Sequence, residues 1–307
     1  MDIGWLDDLI AIETHGSLSK AAQARNVTQP AFSRRIAAIE AWFGAEVVNR
    51  ANRPLTLSRE MANRMATLHD MAATLRHLRS ELQASQGEAS KVVIAAQHSL
   101  LTSTLPSLLV DQAKQQRVLL NLQSAYPEDG VVLLLNRQVD ILVAYETHRR
   151  PLFGQVLDLE RRLMMQDRLV PVTSSPEIRQ TLLGASPQQR LRLPVITFPR
   201  QNFFGRILWE DITVSLPEHI QLDATIESGL STGVIQLVLA GSNVAWLPEA
   251  MIAQDVKRGH MHLLDDVLPC EDLYAHCFRV TRQVPKAAAF VWDMLTTPQA
   301  PPQNAST

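Results

Sequence analysis

Two sets of polar residues in this sequence stand at spacings that could do chemistry. In the run Thr28-Gln29-Pro30-Ala31-Phe32-Ser33-Arg34-Arg35-Ile36, the residues Phe32, Ile36, Ile39 and Phe43 follow one another at spacings of 4, 3 and 4, which is one apolar helix face. The opposite side is left with Gln29, Ser33, Arg34 and Arg35, donors that reach base edges and phosphates. From Lys20 to Arg35 there are four basic residues and no acid, and from Val47 to Arg59 three more with none. Two positive stripes therefore survive a formal net charge of -2, because net charge averages over surfaces that face different partners. The second set follows predicted strands: Gln97-His98-Ser99, Tyr145-Glu146-Thr147, Arg200-Gln201-Asn202 and Ser228-Gly229. Ser99 and Thr102 fall where a helix begins, and free N–H groups there attract anions. Arg200 is either the bidentate donor that completes a carboxylate clamp with Ser99 and Asn202, or an ordinary surface charge. His98 is either a ligand contact or a satisfied structural histidine. Phe203 and Trp246 supply apolar contact to a ligand or belong to the core.

Other chemistries lack their residues. The sequence holds no G-x-x-x-x-G-K-[ST], H-E-x-x-H, G-x-S-x-G or G-x-G-x-x-G, so the common enzyme motifs are missing and no cofactor is expected. Cys270 and Cys277 are the only cysteines; a strand from Leu273 to Val280 would hold them apart, so inert thiols are expected rather than a redox pair. His260 and His262 flank Met261 without a third ligand, which fits a half-exposed strand better than a metal site. Apolar runs fall far short of a spanning helix, and the start Met1-Asp2-Ile3-Gly4-Trp5-Leu6-Asp7-Asp8 is acidic where a secretory signal would be basic,. A cytoplasmic protein with no membrane partner is the expectation.

The elements that must position these groups are legible from periodicity. Trp5, Leu6, Leu9, Ile10 and Ile12 mark one helical face, stopped by Gly16,. Ser17 stands at an N-cap, Ser17 to Ala24 reads as a short Ala-rich helix, and Asn26-Val27-Thr28 breaks it before the donor-bearing third helix, which Gly44 ends,. Three short helices with a tight turn match a helix-turn-helix. Val47-Val48-Asn49-Arg50 and Leu55-Thr56-Leu57 then read as a two-stranded wing with Arg53 at its tip. From Ser58 to about Gln86 the positions Met61, Met65, Leu68, Ala72 and Leu75 alternate by 4 and 3, continued by Leu78 and Leu82. That seam pairs with a copy of itself or packs on its own domain, and pairing is the expectation. Gln83 to Ser90 is small and polar, a linker. Beyond Lys91, strands alternate with helices over about 200 residues, which predicts two lobes of parallel sheet with a ligand crevice where strands end.

These residues resemble the LysR-type transcriptional regulators. The resemblance runs through Gly16-Ser17-Leu18-Ser19-Lys20-Ala21-Ala22, Val27 to Ile36 and Leu55-Thr56-Leu57-Ser58, and covers nearly the whole chain. It implies an α/β protein with an N-terminal winged helix-turn-helix, a long dimerisation helix and a two-lobed, periplasmic-binding-protein-like effector domain. The implied partners are double-stranded promoter DNA, a small-molecule effector, a second copy of the chain in a dimer or tetramer, and RNA polymerase. Within the family, Ile94 to Leu100, Arg200 to Arg206 and Ala245-Trp246-Leu247-Pro248 resemble the branch containing hypochlorite-responsive regulators. There methionine oxidation is the proposed trigger, but the matching positions here are Gln112, Phe204 and Leu230. Met61, Met65 and Met71 read instead as helix filler.

The expected organisation is therefore a DNA-binding domain over 1–58 with its motif near 18–37, a linker helix over 59–86, an effector domain over 87–296 and a flexible tail over 297–307. Within the effector domain, lobe I takes about 91–162 and 266–296, and lobe II about 163–265. Ser17, Lys20, Thr28, Gln29, Pro30, Ser33, Arg34, Arg35, Arg50 and Arg53 are the expected DNA contacts. Gln97, His98, Ser99, Thr102, Tyr145, Arg200, Asn202, Phe203, Ser228 and Trp246 are the expected effector contacts, and the effector is expected to be a small organic acid. An oxidant-responsive regulator of the same fold is the first alternative. A two-lobed solute-binding protein or enzyme with an accessory winged helix is the second; it needs a triad or metal cluster that residues 91 to 295 do not supply.

Overall fold

The computed structural model describes residues 4–85, 89–115, 118–154, 158–186, 188–241, 243–282 and 284–297. It divides into two compact units, Met1–Glu88 with Leu135–Gln138, and Ala89–Leu134 with Val139–Thr307.

The first unit opens with α1 (Gly4–His15), α2 (Leu18–Ala24) and α3 (Gln29–Phe43). Gly16 turns the chain at φ +56°, where a Cβ would stand 3.1 Å from that of Pro54; glycine is the residue that tolerates both the angle and the approach. Thr28 caps α3 by accepting a hydrogen bond from Ala31 N at 3.4 Å, Pro30 sits in its first turn, and Gly44 closes it in the left-handed conformation,. The wing is β1 (Val48–Asn49) paired antiparallel with β2 (Thr56–Leu57). Next come α4 (Arg59–Ala62) and α5 (Met65–Ser85), so the segment from Gln83 to Ser85, expected in a linker, is still helical.

One expectation fails here. Met61, Met65, Leu68 and Ala72, placed on a dimer seam from their spacing, are buried in this chain's own core with Leu9, Ile12, Phe32 and Ile36, and Leu75 packs at its edge. The apolar face of α1 needs a cover, and the first turns of α5 provide it. What α5 leaves exposed is a different set, Met71, Leu78 and Leu82.

The second unit runs β3 (Ser90–Ala96), α6 (His98–Thr102), α7 (Leu105–Gln115), β4 (Val118–Ser124), α8 (Pro127–Leu135), β5 (Ile141–Glu146) and β6 (Leu159–Thr173). It continues with α9 (Pro176–Leu183), β7 (Leu191–Thr197), α10 (Phe203–Arg206), a π-helical turn over Ile207–Ile212, β8 (Ile220–Glu227), α11 (Ser231–Ala240) and β9 (Val244–Pro248). Then come α12 (Glu249–Lys257), β10 (His262–Leu263), β11 (Glu271–Val280) and α13 (Lys286–Thr296). The expected tail lies outside the described residues beyond 297.

Strand order is β4-β3-β5-β11-β6-β9-β7-β8, with β10 on β6. β3, β4 and β5 are parallel, as are β7, β8 and β9, so each lobe has the expected parallel sheet. Between them β6 and β11 pair antiparallel and also border β9 and β5, joining the two lobes. The spacing pointed only to Leu169–Thr173, the last third of β6. Its earlier part, Leu159 to Arg168, carries Glu160, Arg161, Arg162 and Asp167 and is half-exposed, so it lacks the apolar content that marks a buried parallel strand. The ribbon's register shifts between Ala275 and His276.

Candidate functional site

On α3, Gln29, Pro30 and Arg34 are exposed and Ser33 is half-buried, and Thr28 spends its hydroxyl on the helix cap. Ser17 is the N-cap of α2 without a side-chain bond, and Lys20 is exposed on the same helix. Arg53 is exposed on the wing. Two of the expected contacts are engaged inside the unit. Arg35 pairs at 2.6 Å with Asp8, a carboxylate with no solvent exposure that Arg25 also holds at 2.9 Å. Arg50 pairs with Glu40 at 2.8 Å, and Glu40 in turn accepts from Val47 N. Arg35 therefore anchors α3 to α1, and Arg50 ties the wing to α3.

In the second unit a cavity of about 370 Å³ opens where strands end. The exits of β3 and β4 bring Gln97, His98, Ser99, Tyr126 and Asp129 from one lobe. The exits of β7 and β8 bring Phe198, Asn202, Phe203, Phe204, Leu230 and Ser231 from the other. Gln97 is held from behind, its side-chain oxygen accepting from Tyr145 N. Ser99 is 2% exposed, yet its Oγ has no hydrogen-bond partner among the described residues, and neither has His98 Nδ1. A buried hydroxyl left unsatisfied costs about 1–3 kcal/mol, so this wall is built to receive a polar group. α11 starts at Ser231 with no side-chain cap, so its free N–H groups and dipole add to the same wall. Gly205 sets the position of the opposite wall: a Cβ there would lie 2.1 Å from Pro199 O and 3.0 Å from Phe198 O. At the rim Arg206 of α10 pairs with Glu128 of α8, closing one lobe on the other. Arg150, after β5, does the same with Asp211 at 2.8 Å.

Five expected effector contacts lie off this cavity. Thr102 donates to His98 O and Ser99 O within α6. Tyr145 is buried, and its hydroxyl donates to Asp167 at 2.6 Å. Arg200 lies with its guanidinium 4.4 Å from the Trp209 ring centroid, so the clamp of Ser99 and Arg200 is not assembled. Ser228 folds back on Leu230, accepting from its N–H at 3.3 Å. Trp246 is in the core with Nε1 donating to Pro269 O. The lining residues missed are Ser124, Ala125, Tyr126, Asp129 and Leu133, although they follow a legible strand as the other four segments do, and in the other lobe Phe198, Phe204, Leu230 and Ser231.

A second hollow of about 450 Å³ is lined by Asp167, Arg168, Glu249, Asp272 and Tyr274 among others. Several of its polar groups are already engaged: Asp167 accepts from Tyr145, Arg168 N and Ala250 N, and Arg168 pairs with Glu249 and Asp265. Burial raises the carboxyl of Asp167 above its ordinary range, and burial together with Asp167 raises the Tyr145 hydroxyl well above its own. The smaller cavity, with its unpartnered Ser99, is the better candidate for a ligand.

A family model of bacterial regulatory helix-turn-helix proteins, lysR family, matches residues 3–61, and a LysR substrate binding domain model matches residues 85–297. The chain belongs to the LysR family. Among LysR-family relatives, the HTH-type transcriptional regulator YjiE of Escherichia coli (strain K12) is 29% identical over 294 residues, 95% of this chain and 93% of the relative. Full-length HypT from Salmonella typhimurium, a hypochlorite-specific LysR-type regulator, is similar at 26% identity with a TM-score of 0.56, over 96% of this chain and 97% of that one. DarR of Vibrio fischeri, solved in complex with DNA, shares the fold at 24% identity with a TM-score of 0.57, over 97% and 99%. The LysR-family chain is thus a DNA-binding transcriptional regulator with an effector-binding domain, of a family that is not enzymatic, and the solute-binding and enzyme alternative is set aside. Promoter DNA, a small-molecule effector and further copies of the chain are the partners of LysR regulators. Among the described residues no helix is long and apolar enough to cross a membrane, and no group of three or more metal-ligating side chains gathers.

Proposed function

We propose that this regulator reads an interrupted palindrome near cytoplasmic promoters and that a small organic acid in the interlobe cavity changes its DNA contacts. The observation that carries the effector half is Ser99: a buried hydroxyl without a partner, on the wall that also holds the start of α11. A carboxylate there would satisfy Ser99 Oγ and the N–H groups of α11 together, and the apolar rings of Phe198, Phe203 and Phe204 would cover the rest of the ligand,. Exposed Gln29 and Arg34 on α3 support the DNA half,.

The test is a thermal-unfolding screen of the full chain against short-chain and aromatic carboxylates, followed by calorimetry on those that shift it, since a ligand that binds only the folded state raises its stability. Ser99→Ala is expected to leave the free protein as stable as wild type, because no bond is lost, and to weaken a true effector by about 5- to 30-fold. Unchanged affinity in Ser99→Ala overturns the placement of the ligand.

A further inference from the structure

The charge lining the cavity restricts the effector further. Among the described residues that line it there is no lysine and no arginine; the one carboxylate is Asp129, and His98 and Tyr126 are the remaining titratable side chains. Arg206, which follows the lining residues Phe203 and Phe204 on α10, is already paired with Glu128, and Arg200 is stacked on Trp209. Asp129 itself is exposed and forms no ion pair with a described residue. A ligand whose only charge is a carboxylate would bring a second negative charge into a partly enclosed space without a cation to answer it, which is unfavourable.

Resting on the proposal that an organic acid fills this cavity, we propose that the acid is an α-amino acid with an apolar or aromatic side chain, bound as the zwitterion. Its carboxylate meets Ser99 Oγ and the N-terminus of α11, a helix of ten residues. The ammonium meets Asp129, and the side chain lies among Leu133, Phe198, Phe203 and Leu230. The ammonium and carboxylate share the ligand's α-carbon, so one end of the ligand carries both signs and its apolar side chain takes the rest of the lining. A volume of about 370 Å³ accommodates a ligand of that size,. Asp129 also stands in the first turn of α8, where an acid favours the helix dipole,; that role alone predicts no influence on which ligand binds.

The experiment is calorimetry and thermal unfolding of the full-length protein at pH 7.5 with the apolar and aromatic L-amino acids, each beside its deaminated acid and its decarboxylated amine. L-phenylalanine, for example, is run beside 3-phenylpropanoate and phenethylamine. At least one amino acid is expected to bind, with both of its single-charge analogues weaker by about tenfold or more. Asp129→Asn is expected to reverse the order of that amino acid and its deaminated acid, which a helix-dipole role would not do, whereas Ser99→Ala weakens both. A deaminated acid that binds wild type as well as its amino acid overturns the zwitterion and leaves the organic-acid reading standing. If acids bind and no amino acid does, the zwitterion falls alone. If neither class binds, both readings fall.

Discussion

Arg34 and Arg35 are neighbours in the chain and opposites in the fold. Arg34 is exposed on α3, whereas Arg35 is spent on the buried carboxylate of Asp8. Arg34→Ala is therefore expected to weaken operator binding by about 1–3 kcal/mol while the unfolding temperature stays put. Arg35→Ala should lower that temperature, because removing a partner leaves the Asp8 charge under-compensated in the interior. Fluorescence anisotropy on an operator and thermal unfolding of both variants check this, and identical profiles for the two would contradict it. The donor set on α3 was legible in the sequence, but its division was not, since the residue that claims Arg35 stands 27 positions earlier on another helix. The cysteines make a second contrast. Burial pushes the Cys270 thiol up to about 11 and the Cys277 thiol to about 12. At pH 8 alkylation of Cys270 should run about 100-fold slower than that of an ordinary thiol, with Cys277 unlabelled until the chain unfolds. The folded state keeps both protons that the unfolded chain releases above pH ~9, so this contribution to stability is intact at neutral pH and is lost as pH rises towards 11–12,. Rapid labelling of native protein at pH 8 would refute the assignment.

Among the elements, α5 shows what an apolar stripe can and cannot say. A spacing of 4 and 3 reports that one face is covered; whether the cover comes from the same chain or from a copy lies in α1, not in α5. Leu68 is buried in its own unit, so Leu68→Glu is expected to unfold the DNA-binding unit rather than merely separate subunits,. Leu78, half exposed on the same helix, is the better probe of association. Leu78→Glu should lower the sedimenting mass while helical circular dichroism is retained. A Leu68→Glu protein that stays folded would reverse the reading. β6 fails differently: its charged first part is held to β11 by the backbone ladder and by the pair of Glu160 with Arg279, and an apolar pattern records neither.

At the scale of the effector domain, Arg206 with Glu128 and Arg150 with Asp211 are ion pairs that cross between the lobes. Arg206 with Glu128 joins a half-buried side chain to an exposed one, is open to water and adds little,. Arg150 with Asp211 is different, because Asp211 is 7% exposed and hydrogen bonding to it raises the guanidinium above its ordinary range. Arg150→Ala is expected to cost about 1–3 kcal/mol in urea unfolding, and to speed hydrogen exchange around Ile207 to Ile212, because Asp211 lies in that turn. Exchange there as slow as in wild type would show that the pair does not hold the lobes. The alternation of strands and helices disclosed both lobes and the general place of the cleft, since strand exits converge by topology. It could not show which side chains at those exits turn inward, and so Thr102, Tyr145 and Trp246 were expected where Tyr126, Asp129 and Ser231 stand.

A laboratory selecting for variants that answer to a new inducer, or to none, would watch the codons of the cavity wall. The residue that fixes that wall has no side chain to select on. At Gly205 a methyl group would overlap Pro199 O, so alanine there must displace α10 and carry Phe203 and Phe204 with it. Such a selection is expected to return Gly205 among its hits, as a change of inducer spectrum in a protein whose every ligand-touching residue is intact.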